Sequence, residues 1–324
     1  MVNINFKILS FIFALLLFGP AFYAPSLGEE AREVGIAVLL SRTASPYDAA
    51  VAGFREVILE KGIKSKISVF DLEGSPEEGH RVMRHLKSSR PDLILAVGST
   101  ATEVAYNEAK AFPVIFTMVL YPEESGFIDS MQGSKNNLAG ASLDIPPSSQ
   151  FELLRSLVPG LRRIGLLYNP VEAKAIVEEA KISAQEMGLE LIAVPVYSPQ
   201  KVPDALRGLC GRVDALWSIA DSTVFNSKSI KHIISYTLKN RVPFMGISSY
   251  FAREGALVSV SPDYFDVGRQ SGEIAVQVLK GKTPASIPIT RPRKVITSIN
   301  LRTAWRIGLR PSSTVLAQAD EIIK

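Results

Sequence analysis

The residues best suited to chemistry in this chain are hydroxyls, one amide, one carboxylate and one phenol, gathered in short loops rather than in a catalytic cluster. They are Ser41 and Thr43 in Ser41-Arg42-Thr43, then Gly98, Ser99 and Thr100 together, then Thr117 ahead of Met118-Val119-Leu120. Further along come Asn169 before Pro170, Asp221 in Ala220-Asp221-Ser222, and Ser248 and Tyr250 in Ile247-Ser248-Ser249-Tyr250. These groups hold a small molecule by hydrogen bonds and one charge. At Gly98 the missing side chain lets the backbone approach a ligand closely. Ser99 and Thr100 then open a helix whose free N–H groups make a seat for a carboxylate, though plain capping by Ser99 explains the same residues. Asp221 has two readings of equal standing: cap of the helix expected from about Thr223, or the anion that pairs with a ligand ammonium. Ser222 is placed to take over the capping and leave Asp221 to the ligand.

Machinery for bond-making is missing from the pattern. There is no G-x-S-x-G elbow, no G-x-x-x-x-G-K-[ST] loop, and no G-x-G-x-x-G after the first strand. His80 and His85 stand five apart on one helix, off the spacing of paired metal ligands, and His232 lies on another. No catalytic residue, no metal and no cofactor is expected. Tyr47, Tyr121, Phe225 and Tyr264 lie near the loops, but aromatic residues are the usual fillers of cores, and each is expected there, as is Trp217.

Each loop follows an apolar strand, and the strands come in two runs. The first is Val34–Leu40, Ile67–Asp71, Leu93–Val97 and Val114–Thr117; the second is Ile164–Tyr168, Glu190–Val196, Ala215–Ser218 and Pro243–Gly246. Corresponding starts lie 130, 123, 122 and 129 residues apart. A helical pattern follows each strand, so the expected class is α/β, with two doubly wound parallel-sheet lobes joined by a hinge. Open α/β sheets bind ligands outside the carboxyl ends of their strands, and two such lobes facing each other enclose a cleft.

Composition agrees. The 324 residues are 47% hydrophobic and 21% charged, with a formal net charge of +4, ordinary values for about two globular domains. Arg291, Arg293 and Lys294 form the one tight basic cluster and read as a solvated strand edge, so no nucleic-acid partner is expected. Lys7, the apolar run Ile8 to Phe18 and the break at Gly19-Pro20 describe a signal peptide over residues 1–28, which directs the chain to the periplasm or the extracellular space. An uncleaved anchor is the alternative, and with it a membrane-anchored ligand-sensing receptor domain. Cys210 has no partner for an intramolecular disulfide and reads as a small buried residue.

Between Leu120 and Ser149 the pattern turns irregular, with Pro122, Gly126, Gly133 and Pro146-Pro147. It reads as the first passage between lobes, carrying a short strand at Leu138–Leu143. Lobe one is expected to comprise residues 29–121 with about 255–283, and lobe two about 122–254 with 284–324. Three passages between the lobes would make a broad hinge.

Taken in order, several segments resemble a known family. They are Asp92-Leu93-Ile94-Leu95-Ala96-Val97-Gly98-Ser99-Thr100-Ala101, Phe112-Pro113-Val114-Ile115-Phe116, Leu138-Ala139-Gly140, Ile164-Gly165-Leu166-Leu167-Tyr168-Asn169-Pro170 and Asp214-Ala215-Leu216-Trp217-Ser218-Ile219-Ala220-Asp221. The segment from Gly255-Ala256-Leu257 through Asp263 to Gly281 continues the series. The chain resembles the substrate-binding proteins of ABC importers with the type I periplasmic-binding fold, among them tryptophan and tyrosine binders. The resemblance implies capture of a small solute, an amino acid of aromatic or large apolar type, and its delivery by a monomer to a membrane permease and its ATPase. It also implies that Ser99, Thr100 and Thr117 take the carboxylate and Asp221 the ammonium. Arg42 departs from that pattern, and an anionic ligand is its alternative partner.

Overall fold

The computed structural model describes residues 32–324, so the expected signal peptide lies outside the described residues. The chain lays down β1 (Val34–Leu40), α1 (Ser45–Glu60), β2 (Ser65–Asp71), α2 (Pro76–Ser89), β3 (Leu93–Val97), α3 (Ser99–Glu108), β4 (Val114–Val119) and β5 (Leu138–Ser142). It continues with α4 (Pro147–Leu157), β6 (Arg163–Tyr168), α5 (Pro170–Glu186), β7 (Glu190–Pro195), α6 (Val202–Leu209), β8 (Ala215–Trp217), α7 (Ser229–Lys239), β9 (Phe244–Gly246), α8 (Ser249–Glu254) and β10 (Val258–Pro262). Last come α9 (Tyr264–Leu279), β11 (Val295–Asn300), α10 (Leu301–Ile307), α11 (Ser313–Leu316) and β12 (Glu321–Ile323).

Two sheets result, ordered β2-β1-β3-β4-β5 and β12-β11-β10-β9-β8-β6-β7. β3 and β4 are buried along their whole length and β1 along its last five residues, as expected of parallel strands covered by helices on both faces. The α/β fold with a doubly wound plan in each lobe is therefore present, modified at one edge. β11 runs antiparallel to β10. In the first sheet the chain goes from β1 outward to β2 and returns to β3 on the other side; in the second it goes from β6 to β7 and returns to β8. The topological switch points, where open sheets of this kind leave a crevice, thus lie between β1 and β3 and between β6 and β8.

Two strands fall in the opposite lobe from the one expected. β5, expected with residues 122–254, pairs with β4. Gly140 permits the close approach, because a Cβ there would stand 2.3 Å from the Phe116 carbonyl oxygen. β10, expected with residues 255–283, lies between β9 and β11 in the second sheet. The polypeptide therefore passes between lobes at residues 143–146, again at 262–264, and finally at 291–294. After the second passage α9 returns to pack on α1 in the first lobe. Gly53 and Gly268 let the two backbones touch: a Cβ on either would come within about 2 Å of the other helix's carbonyl oxygens, 2.0 Å at Gly53 and 1.9 Å at Gly268. Cys210 is exposed, contrary to expectation, because it follows the last turn of α6 rather than facing the sheet.

Candidate functional site

At the first switch point, the end of β1 is stitched to the start of α3. The Ser41 N–H donates to the Val97 carbonyl (2.9 Å), and Ser41 Oγ accepts from the Ala101 N–H (2.9 Å). Gly98 adopts φ 87°, ψ 170°, a region open in practice to glycine alone, and its N–H donates to the Thr117 carbonyl (2.8 Å). Ser41, Gly98 and Thr117 are thus brought together, with Ser99 exposed and Thr100 half-buried at the head of α3. The N–H groups of these first helical residues have no intrahelical carbonyl to meet. The Thr117 hydroxyl is buried without a hydrogen-bond partner among the described residues. Thr43 is exposed and donates to Asp71 at the end of the edge strand β2 (2.5 Å); that bond, with the Glu73 N–H, holds the Asp71 carboxyl below its usual range.

The second switch point is a closed ring of hydrogen bonds. Asp221 Oδ2 accepts from the Asn169 N–H (2.5 Å) and Oδ1 from the Val224 N–H (2.8 Å). Asn169 caps α5 through its Oδ1, which accepts from the Val171 N–H (3.0 Å), while its Nδ2 donates to Thr223 (2.8 Å). Glu172 accepts from the Ser222 N–H (2.7 Å) and hydroxyl (2.8 Å) and from the Thr223 hydroxyl (2.6 Å). Burial alone would raise the Glu172 carboxyl, but the Thr223 and Ser222 donors outweigh it and hold it low. Burial raises Asp221, which is only 5% exposed.

Ser222 donates to Glu172 rather than capping, and Asp221 closes the turn by accepting the Val224 N–H. No helix begins at Thr223 either; turns fill the stretch up to Ser229. A second acid in the loop, contributed by the first turn of α5, competes for the donors, which the sequence around Asp221 does not reveal. Ser248 starts α8 without capping it, and Tyr250 is 48% exposed, edge-on to Phe251.

A cavity of about 110 Å³ lies where the passages between lobes meet the second sheet. Its wall includes Tyr121 and Leu143 near the first passage, Pro262 and Tyr264 at the second, and Trp217 to Ala220, Ile247 and Val260 of the second lobe. Trp217, 1% exposed, donates its indole N–H to Gln150 Oε1 (2.8 Å), and Gln150 donates to the Ile145 carbonyl (3.0 Å). Phe151 meets the indole edge-on at 5.0 Å. An adjoining cavity shares Leu120, Tyr121 and Ala220 and sets Glu124 and Ser125 of the first lobe against Val171 to Ile176 of the second. None of Ser41, Thr43, Gly98, Ser99, Thr100, Thr117, Asn169, Asp221, Ser248 or Tyr250 lines the first cavity, although Ala220 and Ile247 directly precede two of them. The walls that sequence reasoning missed are Gln150, Leu143, Ile145, Val260 and the two tyrosines assigned to the core. Their one signal was position: Tyr121 and Tyr264 flank passages between lobes.

Two doubly wound lobes, three connecting passages and an aromatic cavity at their junction define a solute-binding protein of the type I periplasmic-binding fold. The profile of the family described as "ABC transporter substrate binding protein" matches residues 33–323, and the chain belongs to that family. A tyrosine-binding protein of Clostridioides difficile is 27% identical over 265 residues, covering 80% of this chain and 76% of the relative. A Streptococcus pneumoniae ABC domain solved in complex with L-Trp is 26% identical, covers 90% of this chain and 100% of its own, and superposes with a TM-score of 0.71. The ligand-free, open structure of a C. difficile substrate-binding protein, CD0873, reaches a TM-score of 0.79 at 21% identity, covering 90% and 99%, a likeness of fold. The family binds solutes and is not enzymatic; its members serve ABC transporters outside the cytoplasm with a small-molecule ligand. Among the described residues no helix is long and apolar enough to cross a membrane.

Proposed function

We propose that this chain captures an amino acid with an aromatic or large apolar side chain and delivers it to the permease and ATPase of an ABC importer. The observation that carries the reading is the cavity at the junction of the lobes, in which Tyr121, Trp217 and Tyr264 stand with Leu143, Ile145, Ile247 and Val260. Aromatic walls of this kind favour a ring or a branched apolar chain through area burial and offset or edge-on stacking. The ligands of two relatives, tyrosine and tryptophan, support the same class.

In this reading Ser99 and Thr100, with the free N–H groups at the head of α3, take the ligand carboxylate, helped by the unpartnered hydroxyl of Thr117. Asp221 already accepts two backbone N–H bonds and follows the cavity residue Ala220. It contributes a negative field that favours an ammonium, while its main work is holding the loop. The protein acts as a monomer, exported by the signal peptide over residues 1–28.

The test is a thermal-shift screen of the exported protein against the twenty L-amino acids, nucleosides and sugars. At a hundredfold excess over Kd a true ligand stabilises by about 2.7 kcal/mol. Stabilisation by tryptophan or tyrosine, with quenching of Trp217 fluorescence in a Trp305→Phe background, is the expected result. A shift with a sugar or nucleoside and none with any amino acid would overturn the reading.

A further inference from the structure

We infer that Asp144 is a positioning residue that holds the Tyr121 ring in the cavity wall by way of the Tyr121 amide. The inference rests on the cavity at the lobe junction being the ligand site. The chain leaves β4 through an irregular stretch. The pairing with β5 shifts register between Phe116 and Val119, and both Met118 (φ 60°) and Tyr121 (φ 49°) sit in the left-handed region. Neither is a residue type that adopts it readily, so tertiary contacts must hold them there.

The contacts are few and identifiable. The Leu143 N–H donates to the Val119 carbonyl (2.8 Å), and the Tyr121 N–H donates to Asp144 Oδ1 (2.9 Å). Asp144 is 7% exposed and sits in the first passage between lobes, between the cavity residues Leu143 and Ile145. The Asp144–Tyr121 bond thereby ties that passage to a cavity wall.

The charged neighbours are few as well. Glu124 comes from the same loop as Tyr121, and Arg291 from the third passage, where its guanidinium pairs with Glu179 of α5 (3.4 Å). Burial pushes the Asp144 carboxyl up to about 6, and Glu124 adds to it; the Tyr121 N–H, the Ser142 hydroxyl and Arg291 partly offset the rise. Ionised, Asp144 is the stronger acceptor. Protonated, it loosens its hold on a backbone conformation that tyrosine does not favour, and the ring leaves the wall.

The experiment uses the protein labelled with 15N-tyrosine and needs no ligand. Between pH 7.5 and 5 the Tyr121 amide resonance should titrate with a midpoint near 6 in the wild type, a value set by Asp144, and should stay fixed in Asp144→Asn, which retains a neutral acceptor of the same shape. With L-tryptophan as probe, the wild-type Kd should rise about tenfold over that range, the factor by which ionised Asp144 is depleted one unit below its midpoint, and the variant should show a flat profile. A Tyr121 amide that does not move in the wild type, or that moves equally in Asp144→Asn, overturns the inference. A titrating amide in a protein that binds no amino acid would instead tell against the proposed ligand class and leave the Asp144–Tyr121 coupling standing.

Discussion

Replacing Gly98 by alanine tests the architecture of the first switch point. The backbone at Gly98 has φ 87° and ψ 170°, and holding a residue with a side chain in that region costs about 1–3 kcal/mol. The added Cβ would also stand 2.6 Å from the Tyr47 hydroxyl oxygen and 2.7 Å from Ser41 Oγ. Tyr47 presents only the end of a long side chain there and can swing away. Ser41 cannot move freely, because its Oγ accepts the buried Ala101 N–H (2.9 Å), a bond worth about 1 kcal/mol net. Together the effects come to about 3 kcal/mol, or about 6–12 °C in Tm at roughly 2–4 °C per kcal/mol for a lobe-sized unit. Differential scanning calorimetry reads this directly, and the affinity for L-tryptophan should fall by more than tenfold as the head of α3 shifts. Ser99→Ala is the control: Ser99 is exposed and its change imposes no backbone restraint, so Tm should stay within about 1 °C. A Gly98→Ala protein melting within about 2 °C of wild type would refute the claim that glycine is required at this turn.

Other outcomes follow from the buried carboxylates. Asp221→Ala leaves the N–H groups of Asn169 and Val224 without the oxygens that now accept them, at about 1–3 kcal/mol for each orphaned donor. Urea denaturation should show a loss of about 2–6 kcal/mol, with Asp221→Asn intermediate because its amide keeps one acceptor; wild-type stability in the alanine variant would remove Asp221 from its structural role. Asp144 has the opposite effect on stability. Its carboxyl titrates near 6 in the folded protein against an ordinary 3.8, so folding takes up a proton between those values. The stabilising contribution is complete below about pH 4 and is lost as pH rises through 6. Above that, keeping the carboxylate ionised costs about 3 kcal/mol at 1.36 kcal/mol per unit. Asp144→Asn should therefore be more stable than wild type at pH 7.5, with a gap that closes toward pH 4; a constant gap across that range would contradict the burial argument.

The amino-acid sequence by itself determined the elements and the plan of each lobe. Strands such as Val34–Leu40 and Leu93–Val97 are continuous apolar runs between turn residues, and their limits are those of β1 and β3. Ser75-Pro76 marks the head of α2 by local capping chemistry, and Ser75 Oγ accepts the Glu78 N–H (3.3 Å) as that pattern requires. The loops after β1, β3, β6 and β8 were legible as candidate sites because carboxyl ends of parallel strands follow from strand order alone. Tertiary structure decided the rest. Which sheet receives β5 or β10 depends on which strand edge is open beside it, and strands in either lobe have the same composition. Whether Asp221 is free depends on Glu172, forty-nine positions earlier, reaching Ser222 and Thr223 first. Tyr121 and Tyr264 read as core until the passages between lobes set them around a cavity, because a buried aromatic ring and a ligand-facing one are the same residue in sequence and differ only in what lies across from them.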